Sequence, residues 1–300
     1  MKVAVVGAGA VGCFFGAKLA EGGHEVVLIG RNPHVSAIND RSLQFESSST
    51  LKSIHIRAST DPRDLAGTDI VLVCVKSMDS RNVAKEIRPH LKGDSIIVSL
   101  QNGLDNANTL AETLNLRVIP AAVYVACEMV GDGHLMYHGR GDLAIGSSSE
   151  SSIVASIFSQ AGVPTVVYAN VDAPLWDKLI LNCAYNAISA IVNLPYSAIR
   201  GYPSADEAMK NVIAECLAVA RAEGINIDFD LDRQFERVRQ TIPAGQYSSM
   251  AQDFARVKPS EIAALNGAIV HRGKKLGIPT PLNQLLMAIV HLIEINRRNS

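Results

Sequence analysis

The sequence predicts an α/β fold in which an N-terminal doubly wound parallel sheet is followed by an all-α C-terminal domain. Three observations carry this prediction. Short apolar runs alternate with helical stretches in the first half of the chain. A glycine-rich turn joins the first run to the first helix. From about residue 169 onward the pattern is helical, with prolines at the boundaries. We therefore expect two domains, residues 1–168 and 169–300.

The strands of the first domain are predicted from four short runs rich in Val, Ile and Leu. They cover residues 2–6, 25–29, 70–75 and 95–100. Such runs are typical of strands that are buried on both faces of a parallel sheet. Between them, the spacing predicts helices over residues 11–21 and 80–90.

Residues 118–168 are rich in glycine and β-branched side chains, and they predict further strands that close the first domain. The expected strands are residues 118–126, 135–138, 143–145 and 165–168, with an exposed serine turn at 147–152 and a short polar turn at 47–50. The second domain is predicted to hold helices over residues 174–192, 205–223, 231–240, 261–276 and 281–297. Its helix boundaries are placed at Pro195, Pro203, Pro243, Pro259 and Pro279.

Composition excludes several classes of protein. The 300 residues include 28 Lys and Arg against 29 Asp and Glu, for a formal net charge of -1. That balance argues against a nucleic-acid partner and against a polybasic membrane anchor. No stretch reaches the roughly 18–20 apolar residues that a membrane span needs. We therefore predict no nucleic-acid and no membrane partner.

The cysteines and histidines predict neither a disulfide framework nor a metal site. The five cysteines are odd in number, widely spaced and without a C-x-x-C pair. This favours reduced thiols and a cytoplasmic location. His134 and His138 are four residues apart, but they lie among glycines rather than on a helix. The helical spacing that would let them share a metal is therefore missing.

The glycine-rich turn is the most specific feature of the first half. Gly7-Ala8-Gly9-Ala10-Val11-Gly12 follows a predicted strand and opens a predicted helix, which is the context of a Rossmann-type dinucleotide site. In that motif Gly7 allows the tight turn, Gly9 lets the backbone approach a pyrophosphate, and Gly12 allows close packing of helix and strand. The N-terminus of the helix then faces the phosphates. The alternative is an ordinary glycine turn.

The end of the second predicted strand favours NADP(H) over NAD(H). NAD sites usually place Asp or Glu there to bind the ribose 2′-OH, whereas this chain has Gly30-Arg31-Asn32. No carboxylate at this strand end repels a 2′-phosphate, and the planar guanidinium of Arg31 can bind one. The alternative is that Arg31 is a solvated surface residue.

A polar stripe on an apolar helix is the main feature of the second domain. Lys178, Asn182 and Asn186 are spaced i, i+4 and i+8, which puts them within an arc of about 80°. Asn193 is expected near the same stripe if the helix stays straight. Because asparagine is a poor helix former, the stripe predicts a polar wall of a ligand site. The alternative is a set of buried asparagines satisfied by loop carbonyls, with Lys178 in a salt bridge.

Three further segments offer polar groups to a site, and each has a structural alternative. Asn102, within Gln101-Asn102-Gly103, follows a predicted strand at the edge where parallel sheets bind ligands, although Asn-Gly is also a strong turn pair. Ser249 lies in a segment where a serine helix cap is the default interpretation. Glu261 follows Pro259-Ser260, where a first-turn glutamate is the default.

In combination these motifs resemble the ketopantoate reductase family, and the resemblance covers essentially the whole chain. The motifs are specific to the family through their order and spacing. They are the glycine motif at 7–12, Gln101-Asn102-Gly103, Trp176-Asp177-Lys178-Leu179 with Asn182 and Asn186, Ser248-Ser249-Met250, Asp253, Glu261-Ile262 and Asn266-Gly267.

The resemblance implies NADPH-dependent reduction of a small 2-oxo acid. It implies that Lys178 is the catalytic acid, that Asn102 helps hold cofactor and substrate, and that Glu261 orients the cofactor ribose or the lysine. Further positions fall where the family binds its substrate (Asn182, Asn186, Ser249) or its cofactor (Lys76, Ala126). A homodimer is a possible assembly.

Two positions depart from the family pattern. Biosynthetic members often carry asparagine soon after the proline that ends the lysine helix, whereas Pro195 is followed here by Tyr196. Ser260 replaces the threonine often found before the distal glutamate. Three hypotheses stay open, and the second of them rests on Tyr196, which lies on the substrate side. The chain reduces ketopantoate to pantoate for pantothenate and coenzyme A synthesis, reduces another 2-oxo acid, or is a non-catalytic NADP-binding sensor.

Overall fold

The computed structural model of the chain describes residues 1–241 and 245–299, so the predicted boundary at Pro243 lies outside the described residues. The backbone forms two compact units, Met1–Val171 and Asp172–Ser300. The first combines a sheet with helices, and the described residues of the second form helices and their connecting segments, without a strand. The predicted fold class is therefore confirmed. Within the described part of the chain, no helix is both long and apolar enough to cross a membrane.

The first unit is built on a ten-stranded mixed sheet. Its strands are β1 (Lys2–Val6), β2 (Glu25–Ile29), β3 (Leu43–Ser47), β4 (Leu51–Ile54), β5 (Arg57–Ser59), β6 (Ile70–Val73), β7 (Ile96–Ser99), β8 (Val118–Gly131), β9 (His134–Gly146) and β10 (Thr165–Tyr168). The spatial order is β4-β3-β9-β8-β7-β6-β1-β2-β5, and β10 pairs with β9. Strand pairs run parallel except for β3 with β4 and β8 with β9. The first strand, β1, therefore lies between β2 and β6.

Helices cover both faces of this sheet, as expected for a doubly wound fold. The helices of the first unit are α1 (Ala10–Glu21), α2 (His34–Arg41), α3 (Ser80–Ile87), α4 (Asn106–Leu114) and α5 (Ser151–Gln160). Val3 and Val5 of β1 share one apolar core with Phe14 of α1. The alternate residues Ala4 and Val6 share a second core with the side chains of α3 and α4. This alternation follows from the two-residue repeat of a strand.

The four buried strands and both helices predicted for the first half are present; β1 and β2 have the predicted bounds, and the other four have at least one end shifted by one to three residues. The turn predicted at 47–50 is also present and joins β3 to β4, where the Ser47 N–H donates to the Thr50 carbonyl at 2.8 Å. The short elements α2, β3, β4 and β5 had no prediction. Their sequences lack the long apolar runs on which the predictions depend.

Two predictions in the 118–168 segment were wrong in detail. The separate strands expected at 135–138 and 143–145 form one strand, β9, because His138 and Gly141 are extra residues at register shifts opposite β8. The interruption expected between residues 138 and 143 is thus a pair of β-bulges within one strand. The serine segment is not wholly an exposed turn, since Ser151 is buried, begins α5 and donates from its hydroxyl to the Gly146 carbonyl at 2.6 Å.

The second unit consists of helices. They are α6 (Asp172–Val192), α7 (Tyr196–Ile199), α8 (Pro203–Ala222), α9 (Leu231–Thr241), α10 (Ser249–Ala255), α11 (Asn266–Leu276) and α12 (Pro281–Asn299). The long helix α6 is central and packs against α8, α10 and α12. The five predicted helices are present, although the one expected from residue 261 begins only at Asn266, after a separate 3₁₀ turn.

Asn193 does not lie on the polar stripe, because α6 ends at Val192. Its φ of 52° is in the left-handed region. Asparagine tolerates this conformation better than most residues do and is used where a helix ends. Asn193 therefore terminates the helix instead of extending its polar face.

Candidate active site

The glycine-rich loop connects β1 to α1 in a conformation that two of its glycines require. Gly7 has a φ of 111°, and its N–H donates to the Ile29 carbonyl at 2.8 Å. A side chain at Gly7 would also meet the backbone of Cys74 at 2.8 Å. At Gly12, a Cβ would lie 2.0 Å from the Gly7 carbonyl oxygen. The loop is therefore pinned between three strands, and α1 starts in close contact with it.

The exposed side of the same loop fits the pyrophosphate of a dinucleotide. Gly9 is the N-cap of α1 and has no atom within 4 Å of the position that its Cβ would take. The first turn of the helix contains no acidic residue and no side-chain cap, so its N–H groups and positive dipole end face this open space. Burial raises the pKa of the nearby Cys13 thiol to about 12, so that thiol adds no negative charge beneath the site.

Arg31 follows β2 and has a partner that the sequence did not predict. Its guanidinium lies 3.5 Å from the Asp79 carboxylate, at the end of the 3₁₀ turn Ser77–Asp79 that follows β6. The end of β2 has no carboxylate, as the sequence indicated, but the fold brings one from β6. Because β1 lies between β2 and β6, the pair spans the edge from which the glycine loop leaves the sheet.

Asn102 lies just after the carboxyl end of β7 and within a bend. It is therefore both at the edge where parallel sheets bind ligands and in a turn, the two interpretations of this segment. Its backbone carbonyl accepts hydrogen bonds from Ser77 Oγ at 2.8 Å and Asn106 Nδ2 at 2.5 Å. The preceding Gln101 is buried, and its Nε2 donates to the Val75 carbonyl at 2.9 Å. These bonds tie the segments after β6 and β7 together, and they fix the backbone at Asn102.

The other two positions predicted to contact the cofactor also lie on the first unit. Lys76 is half-buried and begins the 3₁₀ turn after β6, so it belongs to the same segment as Asp79. Ala126 is half-buried on β8 and lies opposite Gly139, beside a register shift. The turn after β6 therefore carries one basic and one acidic side chain beside the glycine loop.

On the second unit, Lys178, Asn182 and Asn186 share one face of α6, which is an unbroken helix through all three. Lys178 is half-buried, and the two asparagines are buried. Within residues 1–241 and 245–299, the Asn182 side chain and the Asn186 Nδ2 have no hydrogen-bond partner. The loop carbonyls expected in the structural alternative therefore do not satisfy these amides within that part of the chain.

Asn186 is held by residues that follow α6. The buried hydroxyl of Tyr196 donates to Asn186 Oδ1 at 3.1 Å, and the Tyr196 ring packs edge-to-face against Tyr185 with centroids 5.2 Å apart. Burial raises the pKa of Tyr196 well above its ordinary value, which keeps the hydroxyl protonated and able to donate. With Oδ1 occupied by a donor, the Asn186 Nδ2 is oriented away from Tyr196 and can itself donate to a ligand.

Ser248 connects α10 to the same face of α6. Its Oγ accepts from the Ala251 N–H at 3.0 Å, which confirms a serine cap in this segment, and donates to the Asn186 carbonyl at 3.1 Å. Ser249 is the first residue of α10 and is exposed, one position beyond this contact. Ser249 is therefore the neighbour in sequence of the residue that bonds to the Asn186 backbone.

Glu261 does not lie in the first turn of an α-helix. It precedes the 3₁₀ turn Ile262–Ala264, and its carbonyl accepts from the Ala264 N–H at 2.9 Å. Glu261 is the N-cap residue of this turn, but its side chain makes no cap hydrogen bond; the Ser260 Oγ accepts from the Ile262 N–H at 3.3 Å. Because Ser260 accepts this bond, the half-buried side chain of Glu261 is not needed as the cap.

Comparison with known proteins identifies the family. Residues 3–150 match the model described as ketopantoate reductase PanE/ApbA, and residues 170–294 match the model of its C-terminal part. The 2-dehydropantoate 2-reductase of Pyrococcus abyssi is 32% identical over 297 residues, which cover 97% of each chain. The chain belongs to the ketopantoate reductase family.

Solved structures of similar proteins agree with this membership. The PanE/ApbA family ketopantoate reductase from Ralstonia eutropha JMP134 is 49% identical, has a TM-score of 0.93, and aligns over 99% of this chain and all of that one. D-mandelate dehydrogenase, solved with NADH and anilino(oxo)acetate, also has a TM-score of 0.93 over 99% of this chain, but it is 23% identical and shows a shared fold alone.

As a ketopantoate reductase family member, the chain has site features that sequence reasoning missed. The pair of Asp79 with Arg31 and the bond of Tyr196 to Asn186 could not be predicted from local spacing, since each contact joins residues from different elements. The order of strands could have indicated Asp79, because residues after β2 and β6 flank the end of β1. Among the described residues, no group of three or more His, Cys, Asp or Glu side chains could hold a metal ion.

Proposed function

We propose that the protein reduces a 2-oxo acid to a 2-hydroxy acid with NADPH, and that its reaction is ketopantoate to pantoate. The observation that carries this is one face of α6, where the half-buried Lys178 is followed one and two turns later by the buried Asn182 and Asn186. An ammonium can protonate a carbonyl oxygen, and amides can bind a carboxylate or hydroxyl. Full-length similarity to proteins named 2-dehydropantoate 2-reductase supports the choice of substrate.

In this proposal residues 1–168 provide most of the NADP(H) site, and residues 169–300 bind the substrate and add one cofactor contact. The loop from Gly7 to Gly12 holds the pyrophosphate on its backbone N–H groups. Arg31 binds the 2′-phosphate. The other cofactor contacts come from Lys76, Asn102, Ala126 and Glu261.

The chemistry needs one proton and one hydride. NADPH, when bound by these residues, would supply the hydride for the carbonyl carbon of the substrate. Lys178 stabilises the negative charge that develops on the carbonyl oxygen and gives that oxygen its proton. Asn102 and Glu261 hold cofactor, substrate and lysine in position. Proton transfer leaves Lys178 neutral, and it regains its proton from water before the next turnover.

The substrate is bound by groups that carry no net charge. Asn182, Asn186 and Ser249 offer amide N–H and hydroxyl donors to the carboxylate and hydroxyl of the substrate. The Asn186 amide is already oriented by Tyr196, so little side-chain entropy is lost when the substrate binds.

Steady-state kinetics test the proposal directly. We expect NADPH oxidation by the wild-type protein to depend on ketopantoate, with a higher kcat/KM than for straight-chain or aromatic 2-oxo acids. Tight NADP⁺ binding without turnover of any 2-oxo acid would instead support the sensor hypothesis. Homodimeric assembly and a cytoplasmic location stay predictions from the sequence.

Arg31→Ala tests the assignment of the cofactor. A charged hydrogen bond to phosphate contributes roughly 1.5–3 kcal/mol, so we expect kcat/KM for NADPH to fall about 10- to 100-fold. The value for NADH should change less than about threefold, because NADH lacks the 2′-phosphate. An unchanged ratio of the two values would show that Arg31 does not bind the 2′-phosphate.

Reduction of a different 2-oxo acid is the second candidate function, and Tyr196 is the observation that favours it. A buried phenol lies where biosynthetic relatives often carry a small amide, so the space beside Asn186 is partly filled by an aromatic ring. A panel of 2-oxo acids separates the candidates, because ketopantoate has a branched, hydroxylated side chain. Preference for another acid would support this candidate and contradict the first.

Tyr196→Phe tests the role of the hydroxyl. The change removes the donor to Asn186 Oδ1 and keeps the ring, so we expect KM for the 2-oxo acid to rise about fivefold, as for loss of a hydrogen bond of about 1 kcal/mol. The Kd for NADP⁺ should be unchanged. Tyr137→Phe is the control, since Tyr137 lies on β9 in the first unit. A KM equal to that of the wild type would show that the Asn186 amide needs no fixed orientation.

A further inference from the structure

We propose that Asp79 is a specificity-determining residue that weakens the preference for NADP(H) by competing with the 2′-phosphate for Arg31. The inference rests on the proposed function, in which Arg31 binds that phosphate. It adds a negatively charged group, the Asp79 carboxylate, beside the positively charged Arg31 guanidinium. The result is a site that accepts both NADP(H) and NAD(H), with a smaller preference than Arg31 alone would give.

The orientation of the Asp79 side chain is the first observation behind this proposal. Asp79 directly precedes α3, where an aspartate can accept a hydrogen bond from the backbone N–H groups of the first turn, although its own backbone is helical as part of the turn Ser77–Asp79. Here it makes no such bond, and its carboxylate lies 3.5 Å from the Arg31 guanidinium. The carboxylate is therefore used across the sheet edge instead of on its own helix.

The location of the pair is the second observation. Arg31 follows β2, Asp79 follows β6, and β1 with its glycine loop lies between these strands. The loop and residue 30 are in close contact, since a Cβ at Gly30 would lie 2.6 Å from the Ala8 Cβ. In dinucleotide-binding folds, a carboxylate near this edge binds the ribose 2′-OH of NAD, and an arginine accommodates the 2′-phosphate of NADP. This chain carries both groups.

Electrostatics give the direction of the effect. A 2′-phosphate carries a charge of roughly −1.5 to −2 at pH 7. To bind it, Arg31 must leave Asp79 or share its guanidinium, and the carboxylate then repels the phosphate. With NADH the ion pair can persist, and the carboxylate can accept a hydrogen bond from the 2′-OH. Arg31 is 84% exposed, so the pair is weak enough to be exchanged.

Asp79→Asn in the full-length protein is the test, with calorimetric titration of NADP⁺, NAD⁺ and adenosine 2′,5′-bisphosphate at low salt and without a 2-oxo acid. We expect the Kd for NADP⁺ and for the bisphosphate to fall about three- to tenfold, while the Kd for NAD⁺ stays equal or rises. The change should shrink at high salt, because both charges are exposed. In an Arg31→Ala background, the fold-change in the Kd for NADP⁺ caused by Asp79→Asn should be at most half as large, since the competition is for Arg31.

Glu25→Gln is the matched control. Glu25 forms an exposed ion pair with Lys2 at the same separation of 3.5 Å, but at the amino ends of β1 and β2. Its removal should leave both Kd values unchanged. If Asp79→Asn keeps the ratio of the Kd values for NADP⁺ and NAD⁺ within twofold of the wild-type ratio, the role of Asp79 is overturned and the proposed function is not affected. Failure of the wild type to bind either nucleotide would overturn the proposed function as well.

Discussion

Replacement of Lys178 with alanine is expected to lower kcat for 2-oxo acid reduction by about 10²–10⁴-fold, which is the usual contribution of a positioned acid. This corresponds to roughly 3–5 kcal/mol of lost transition-state stabilisation. The residue lies inside a long helix, near the end of its second turn, and is half-buried, and alanine is the best helix former, so α6 should persist. The Kd for NADP⁺ should stay within about twofold, since the proposed cofactor loop lies on β1 and α1.

Two further variants separate proton donation from charge. Lys178→Arg keeps a positive charge, but a guanidinium does not give up its proton in proteins, so we expect kcat to recover by less than about tenfold over alanine. Lys210→Ala is the matched control, because Lys210 is a lysine on the neighbouring helix α8 whose ammonium pairs with Asp232 at 2.7 Å. It should retain full activity. Turnover of Lys178→Ala equal to that of the wild type would remove Lys178 from the role of acid.

The parts of this molecule that sequence predicted well are those with a regular period. Buried strands such as β1 and long helices such as α6 show their repeat in consecutive residues, and the glycine motif is defined by its neighbours in the chain. The approach of Asp79 to Arg31 depends instead on strand order, and the bond from Tyr196 to Asn186 depends on how the chain turns after α6. Neither contact produces a repeat in the sequence, so neither can be predicted from the spacing of residues.

Glycines were informative in one place and misleading in another, for a physical reason. At Gly7 the glycine pattern predicted a tight turn, and the turn is present with a φ of 111°. Around Gly141 two separate strands were predicted in a glycine-rich segment, whereas the strand continues through a bulge. Glycine signals that a side chain is excluded or that φ is unusual, and both occur in turns and in bulges.

Gly12→Ala is expected to destabilise the first unit strongly. The new Cβ would lie 2.0 Å from the Gly7 carbonyl oxygen, and Gly7 is itself fixed by its bond to Ile29 and its contact with Cys74. Because these contacts keep the loop from moving away from α1, the loss in free energy of unfolding should reach or exceed the upper end for overpacking, about 3 kcal/mol. Thermal unfolding followed by circular dichroism should show a midpoint lower by on the order of 5–10 °C.

Gly9→Ala is the matched change in the same loop, and it should weaken cofactor binding without lowering stability. No atom lies within 4 Å of its Cβ position, and its φ of -85° suits alanine, so the thermal midpoint should match that of the wild type. The methyl group would project into the open space assigned to the pyrophosphate, and we expect the Kd for NADP⁺ to rise at least about tenfold. Wild-type affinity in Gly9→Ala would place the phosphates elsewhere, and a wild-type midpoint in Gly12→Ala would contradict the close contact between α1 and the loop.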